Sequence, residues 1–341
     1  GCSDPFADPA GESDRRFAAA SLAELCRPLS SNFISTSEVN MTSPVAYIPF
    51  PNPKTGLEAV FNHVGRWYGG LNRCADFLPV RASGEYYKVG FCEEIIQAAN
   101  FDSPPKDLLF GFYAWYDAPS SLVGTIYLSY DPINPNDARQ AWFYNAGQRR
   151  VRRAPDFTYD NYSDGTEGML HNDAYFGFNG ATDRYDWKLV GKREMYIPYN
   201  AYKLNDPKLK YADMVQKGHL KSDLFRYELH RVYVVEGTLK KNMSHQVSKR
   251  VLYLDEDSYL VTLNELYDSR GSLWRTMILP LIEAYDTPTM YQIPYISHDL
   301  VNGSYIVLNI QNERKQPSVT FNNKGKWADF TIEAIRRKGT R

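Results

Sequence analysis

The sequence predicts a mainly β protein with a large, curved antiparallel sheet, an open half-barrel covered by a few helices and long loops. Aromatic residues make up 14% of the 341 residues, and flat rings pack well across neighbouring strands. Short apolar runs alternate with turn residues along most of the chain, whereas few segments have helical spacing. With 43% hydrophobic content, the chain is long enough for one large domain.

The charge balance limits which classes of partner the protein is expected to bind. There are 39 basic and 40 acidic residues, a net charge of −1, so no overall field attracts nucleic acid or an anionic membrane surface. No run approaches the roughly 20 apolar residues of a membrane-spanning helix. We therefore expect neither nucleic-acid binding nor a transmembrane helix.

The chain divides into an N-terminal arm over residues 1–45 and a single half-barrel domain over residues 46–341. The arm is rich in Ser, Pro, Asn and Ala and is predicted as loop with one short helix from Arg15 to Cys26. At Thr55 a capping-box pattern opens an amphipathic helix. Its apolar stripe consists of Leu57, Val60, Phe61, Val64 and Tyr68.

A meander of strands follows this helix. The second half contains the clearest strands, which are separated by the turns 255–258 and 268–271, so neighbouring strands should pair antiparallel. The predicted strand regions are 74–92, 108–130, 141–152, 195–200, 230–239, 250–254, 259–267 and 273–279.

Both faces of the strands carry apolar bulk, which predicts curvature. In the strand from Tyr259, period-2 alternation places Val261 and Leu263 on one oily face and leaves a mixed opposite face. A sheet that is apolar on both sides must be covered twice or curve around an interior. Residues 154–225 are predicted to be a long structured loop. This loop could be a lid or binding segment, or it could only pack over the sheet.

Cysteine placement points to an oxidising compartment. Cys74 and Cys92 flank a predicted hairpin turn centred on Ser83, so they could face each other at disulfide distance. The alternative is two buried thiols. Cys2 and Cys26 are candidates for a second bridge. A competing interpretation makes Gly1-Cys2-Ser3 the end of a lipoprotein signal with a lipid anchor on Cys2, although processing would remove Gly1.

Several longer motifs resemble the domain-of-unknown-function 1329 family. Residues 48–63 resemble its start, and residues 141–155, with the run Ala141-Trp142-Phe143-Tyr144-Asn145, resemble its central motif. Further similarity covers 179–200 and continues through 227–232, 249–258 and 271–275. The first 45 residues do not match.

The resemblance implies a fold and a setting. Members are Gram-negative envelope proteins similar in fold to the lipoprotein carriers LolA and LolB, in which a curved sheet closed by helices encloses an apolar cavity. The family is also associated with transporters of the resistance-nodulation-division type. The resemblance implies a periplasmic or outer-membrane location after removal of a signal peptide. It supplies no catalytic mechanism.

No catalytic or cofactor constellation emerges from the sequence. The six histidines form neither His-x-His nor His-Glu-x-x-His, so we expect no transition-metal site, no cofactor and no enzyme activity. His63 and His230 are interpreted as structural hydrogen-bonding groups. Asp160, Asp164 and Glu167 lack calcium-loop spacing and are interpreted as a solvated turn.

The cluster Arg149, Arg150, Arg152 and Arg153 has two interpretations. Two of these side chains could meet lipid headgroups at a cavity mouth, or the cluster could form ion pairs with Asp183, Asp186 or Glu194. The second interpretation is favoured because such pairs are common structural devices. Trp142, Trp187 and Trp274 are interpreted mainly as packing residues.

The leading hypothesis is an envelope carrier or acceptor for lipids or other apolar molecules. It predicts an apolar cavity of roughly 300 to 1,000 Å³. The alternative is a structural or assembly protein that self-associates through its N-terminal arm. The candidates for cavity or headgroup contact are Phe61, Val64, Trp142, Tyr144, Arg150, Arg152, Tyr233, Val261, Leu263 and Trp274.

Overall fold

The computed structural model describes residues 48–67, 69–134, 137–154, 159–287 and 289–339. Its helices are α1 (Gly56–Val64), α2 (Tyr211–Met214) and α3 (Ile332–Gly339). Its strands are β1 (Gly70–Val80), β2 (Val89–Gln97), β3 (Leu108–Ala118), β4 (Ile126–Pro132), β5 (Gln140–Asn145), β6 (Arg150–Arg153), β7 (Tyr185–Pro198), β8 (Tyr227–Leu239), β9 (Lys249–Asp255), β10 (Val261–Tyr267), β11 (Leu273–Ile278), β12 (Leu281–Ala284), β13 (Thr289–Gln292), β14 (Tyr295–Asp299), β15 (Tyr305–Ile310) and β16 (Val319–Thr320).

Fourteen of these strands form one antiparallel sheet. Its order is β6-β5-β4-β3-β2-β1-β15-β14-β11-β10-β9-β8-β7, with β16 paired to one end of β1. The strands β6 and β7 are its two edges and do not pair with each other, so the sheet stays open. The predicted fold class, an open antiparallel half-barrel, is confirmed.

The centre of the sheet joins the two ends of the domain. Strand β1 pairs with β15, for example Asp76 with Ile310, and the strands on either side follow chain order outward to the edges. Strand β15 is buried along its whole length, so it lacks the alternation that marks a half-exposed strand. The sequence interpretation stopped at residue 279 and missed β12 to β16 and α3.

The inner face of the sheet carries the main hydrophobic core. It combines side chains of β1 to β4, β8 to β11, β14 and β15 with α1 and the segment 159–179. Helix α1 begins as predicted, because the Thr55 side chain accepts a hydrogen bond from Glu58 N at 3.2 Å. The helix ends at Val64, before the predicted end at Tyr68, and Gly65 forms its C-cap.

Two further segments cover the outer face of the sheet. Residues 199–225, including α2, pack on β1, β14 and β15 through Leu204, Tyr211 and Met214. Residues 327–339, including α3, pack on β2 to β5 through Phe330 and Ile335. The prediction of residues 154–225 as loop is wrong in part, because this region contains the long edge strand β7. Of the remainder, 159–179 packs on the inner face and 199–225 packs on the outer face.

The face assignment of β10 requires a correction. Val261 belongs to the inner core, whereas Leu263 packs in a separate outer cluster with Val251 and Tyr253. The pairing of β10 with β9 shifts register between these two positions, and such a bulge resets the alternation of side chains. The two residues therefore do not share the face that strict period-2 counting predicts.

The predicted cysteine hairpin is confirmed. Cys74 and Cys92 are directly paired across β1 and β2, and their sulfurs form a disulfide. Cys2, Cys26 and the whole of the predicted arm lie outside the described residues. Among the described helices, none combines the length and the apolar character needed to cross a bilayer.

Candidate ligand cavity

The half-barrel contains a cavity of about 280 Å³ beside its β6 edge. The wall on one side is the inner face of β2 to β6, and the other wall is the segment 159–179. The volume lies just below the range expected of a carrier, because packed side chains fill the rest of the interior. The lining residues include Phe91, Ile95, Phe110, Phe112, Tyr116, Tyr127, Phe143, Tyr162, Tyr175 and Phe176.

Of the 21 residues that line the cavity, nine are aromatic and ten are polar or charged. Phe91 of β2 and Tyr116 of β3 make an edge contact with ring centroids 5.2 Å apart, and Tyr116 meets Tyr127 of β4 at 6.2 Å. Rings on three successive strands share this face because alternate residues of each strand point inward. The surface can hold an apolar molecule, since large ring faces offer contact area without unpaired polar atoms.

Buried ion pairs neutralise two carboxylates of the cavity wall. Asp131 lies 2.7 Å from the Arg139 guanidinium, which also donates to the Asn179 carbonyl at 2.9 Å. Burial raises the pKa of Asp131, and Arg139 opposes that rise. Glu93 is paired in the same way with Arg73. These carboxylates are therefore held in structural pairs.

Tyrosine hydroxyls tie the inner segment to the sheet at the cavity. Tyr116 donates to the Asp164 carbonyl at 2.8 Å, and Tyr127 donates to the Asp164 carboxylate. Burial and the nearby Asp164 charge raise the pKa of Tyr127, so the hydroxyl keeps its proton. Segment 159–179 thus closes over the cavity through hydrogen bonds to β3 and β4.

A second network fixes the same segment to the opposite half of the sheet. Arg250 of β9, fully buried, donates to Asp173 at 2.8 Å and to the Tyr185 hydroxyl at 2.7 Å. His245 Nε2 lies 3.3 Å from the same Asp173 oxygen. Burial would raise the pKa of Asp173, but Arg250 and His245 hold it well below its ordinary value. The network therefore anchors segment 159–179, which forms the roof of the cavity.

The ten contact residues predicted from the sequence lie in different parts of the structure. Phe61 and Val64 line a smaller cavity of about 40 Å³ that shares Phe110, Asp131 and Asn179 with the larger one. None of the ten lines the larger cavity. Tyr233 and Val261 are buried in the inner core, and Leu263 lies on the outer face.

Two of the aromatic candidates face away from the cavity. Trp142 and Tyr144 pack in the outer cluster beneath α3, whereas Phe143 between them lines the cavity. Consecutive residues of a strand point to opposite sides, and no feature of this run marks which side is concave. Trp274 donates to Asp299 at 3.1 Å and stacks under Arg275.

The arginine cluster lies on edge strand β6 at the cavity. Arg152 is paired with Phe143 and Arg150 with Asn145. Of the four arginines, Arg153 lines the cavity. Because directly paired residues share a face, Arg150 and Arg152 lie on the same side of the strand as Phe143. Both are exposed, and neither forms an ion pair with a residue that the structure describes. The favoured pairing with Asp183, Asp186 or Glu194 is absent from the described residues.

The acidic positions of the inner segment have separate neighbours. Asp164 accepts from Tyr127, Asp160 lies 3.9 Å from Arg184, and Glu167 lies 3.9 Å from Arg81. Arg81 lies at the end of β1. The three carboxylates therefore do not converge as the ligands of one cation would.

The open sheet with cavities on its inner face defines the class of protein: an open antiparallel half-barrel. The chain belongs to the family described as protein of unknown function DUF1329, whose model matches residues 32–336. The match therefore begins within the first 45 residues, which the sequence motifs left outside the family. An uncharacterized protein of Pseudomonas aeruginosa is 41% identical over 299 residues. That alignment covers 86% of this chain and 66% of the relative.

Two solved structures have the same fold. One, described as an outer membrane lipoprotein-sorting protein domain from Vibrio parahaemolyticus, aligns with a TM-score of 0.58 at 15% identity, covering 83% of this chain and 98% of the other. The other, a DUF1329 family protein from Desulfovibrio piger, aligns with a TM-score of 0.55 at 17% identity, covering 79% and 92%. These similarities extend to fold and not to ligand.

Proposed function

We propose that this protein binds a lipid or another apolar molecule in the cavity and acts as a carrier or acceptor in the cell envelope. The observation that carries the proposal is the cavity itself, with its aromatic wall on β2 to β5 and a roof that hydrogen bonds hold in place. A smaller cavity under α1 lies next to it and shares Phe110, Asp131 and Asn179 as lining residues. Large aromatic contact surfaces combined with polar groups that can orient the ligand are typical of small-molecule sites.

The exposed arginines beside the cavity suggest the polar end of the ligand. Arg150 and Arg152 lie on the same side of the open edge strand β6 as Phe143, which lines the cavity. Guanidinium groups bind phosphate and carboxylate oxygens through paired hydrogen bonds. An amphipathic molecule would place its apolar part on the rings and its anionic end at these two side chains.

Binding without covalent chemistry is part of the proposal. The carboxylates around the cavity are engaged by Arg73, Arg139 and Tyr127, which supports structural roles. The disulfide supports an oxidising compartment such as the periplasm. Association with a transporter of the resistance-nodulation-division type remains a prediction from family resemblance, which co-purification from native membranes would test.

Fluorescence titration with dansyl-undecanoic acid tests the cavity. Ser129 of β4 is buried in the cavity wall, so Ser129→Leu should fill part of the space and weaken binding about tenfold or more. Ser222→Leu adds the same volume at an exposed position in the outer segment and should bind like the wild type. Equal binding by both variants would contradict the proposed site.

A charge-matched pair tests the headgroup contact. Arg150→Gln with Arg152→Gln removes two positive charges at the cavity, whereas Lys217→Gln with Lys221→Gln removes two from the outer segment. The first double variant should weaken binding of the anionic probe, and the loss should shrink at high salt. Equal effects of the two variants would mean that overall charge, and not this rim, attracts the probe.

A further inference from the structure

A cluster of metal-binding side-chain types lies on the outer face of the sheet, on strands far from the cavity. His230 of β8, Asp255 at the end of β9 and Asp257 in the next turn each bring a donor atom within 4.8 Å of the others. His230 Nδ1 is 3.2 Å from Asp255 Oδ1 and 3.9 Å from Asp257 Oδ2. Imidazole nitrogen and carboxylate oxygen are ligands of zinc and similar divalent ions.

The Asp255 carboxylate is fixed by one oxygen and free at the other. Its side chain is fully buried, and Oδ2 accepts from Ser258 N at 3.0 Å and from Ser258 Oγ at 2.6 Å. Oδ1 accepts no hydrogen bond, and its neighbour at the cluster is His230 Nδ1 at 3.2 Å. A buried oxygen without a partner is costly, and a cation would satisfy it.

The His230 ring is oriented as metal-binding histidines commonly are. Nδ1 faces the two aspartates, while Nε2 lies 3.6 Å from a Glu228 carboxylate oxygen. A carboxylate on the second ring nitrogen typically fixes the orientation of a ligating histidine. Glu228 is itself held by the Asn200 amide at 2.7 Å, and the ring stacks on Tyr199 at 4.1 Å.

We propose that His230, Asp255 and Asp257 bind a divalent transition-metal ion of the zinc type. Two donors on a tetrahedral zinc ion lie about 3.4 Å apart, so donor atoms of the cluster that lie up to 4.8 Å apart must approach each other by as much as about 1.4 Å. Asp257 has the freedom to do so, because its side chain is 77% exposed in the turn. Remaining coordination positions would hold water, as in open zinc sites.

Isothermal titration of the metal-stripped full chain with Zn²⁺ tests the proposal. The wild type should bind one ion at a saturable site, and His230→Gln should weaken binding about tenfold or more. Asp257→Asn should do the same without disturbing the core, because the residue is exposed. His219→Gln removes a histidine from the outer segment 199–225 and should leave the affinity within about twofold.

Three results would overturn the site. One is the absence of a saturable Zn²⁺ binding event in the wild type. Another is unchanged binding in both His230→Gln and Asp257→Asn, which would identify dispersed surface carboxylates as the binders. For the loaded wild type, X-ray absorption should detect nitrogen and oxygen neighbours and no sulfur; sulfur neighbours would also contradict the assignment. The outcome is independent of ligand binding in the cavity.

Discussion

Asp173 connects the roof of the cavity to the sheet, and its replacement tests that role. Its Oδ2 accepts from Arg250 at 2.8 Å and lies 3.3 Å from His245 Nε2. Asp173→Asn keeps the shape of the side chain but leaves the buried Arg250 without a counter-charge. Removing one partner of a buried ion pair costs about 3 to 5 kcal/mol, so the free energy of unfolding should fall by that amount.

Urea unfolding followed by circular dichroism at pH 7 measures the loss. The control Asp223→Asn breaks an exposed pair with Lys221, whose atoms lie 3.6 Å apart, and should cost at most about 1 kcal/mol. Amide hydrogen exchange in 159–179 should accelerate in Asp173→Asn and not in the control, because the roof loses its anchor.

An apolar replacement of the whole pair separates charge from packing. Asp173→Leu with Arg250→Met removes both charges, and such replacements are often neutral or stabilising. We expect this double variant to be more stable than Asp173→Asn alone. The reasoning is refuted if Asp173→Asn costs no more than Asp223→Asn, or if the double variant is less stable than the single one.

Three further predictions concern stability. Replacing Cys74 and Cys92 by serine should lower the free energy of unfolding by about 3 kcal/mol in urea titrations, given the 18-residue separation. Gly56→Ala should destabilise by about 1 to 3 kcal/mol despite better helix propensity, because its Cβ would lie 2.7 Å from the Lys188 carbonyl carbon; a stabilised variant would contradict this packing. Burial lowers the pKa of His171 to about 4, whereas the unfolded value is about 6.5. The unfolded chain therefore binds the extra proton first, so stability should fall as pH drops from about 6.5 to 4, and His171→Gln should flatten that decline in pH-dependent melting curves.

Local signals in the sequence predicted much of the fold. The hairpin between Cys74 and Cys92 and the turns at 255–258 and 268–271 depend on residues close in the chain, and the structure confirms them. The pairing of β1 with β15 joins residues as distant as Asp76 and Ile310. No local pattern marks such a partner, and short strands buried on both faces lack alternation.

The cavity residues were harder to predict because the sequence does not show which face of the sheet is concave. In β5 the larger rings of Trp142 and Tyr144 attracted attention, yet Phe143 lines the cavity. The polar residues Arg139 and Asp131 form a buried pair there, and nothing in their spacing indicates it. The arginine run was visible in the sequence, but the absence of its expected acidic partners depends on how distant segments pack.

Native mass spectrometry of protein purified from its own envelope, followed by lipid extraction, tests the central claim most directly. The account predicts one apolar molecule bound per wild-type chain, retained in Ser222→Leu and lost or reduced in Ser129→Leu. A wild-type chain without any bound molecule, or equal occupancy in both variants, would contradict a carrier that uses this cavity.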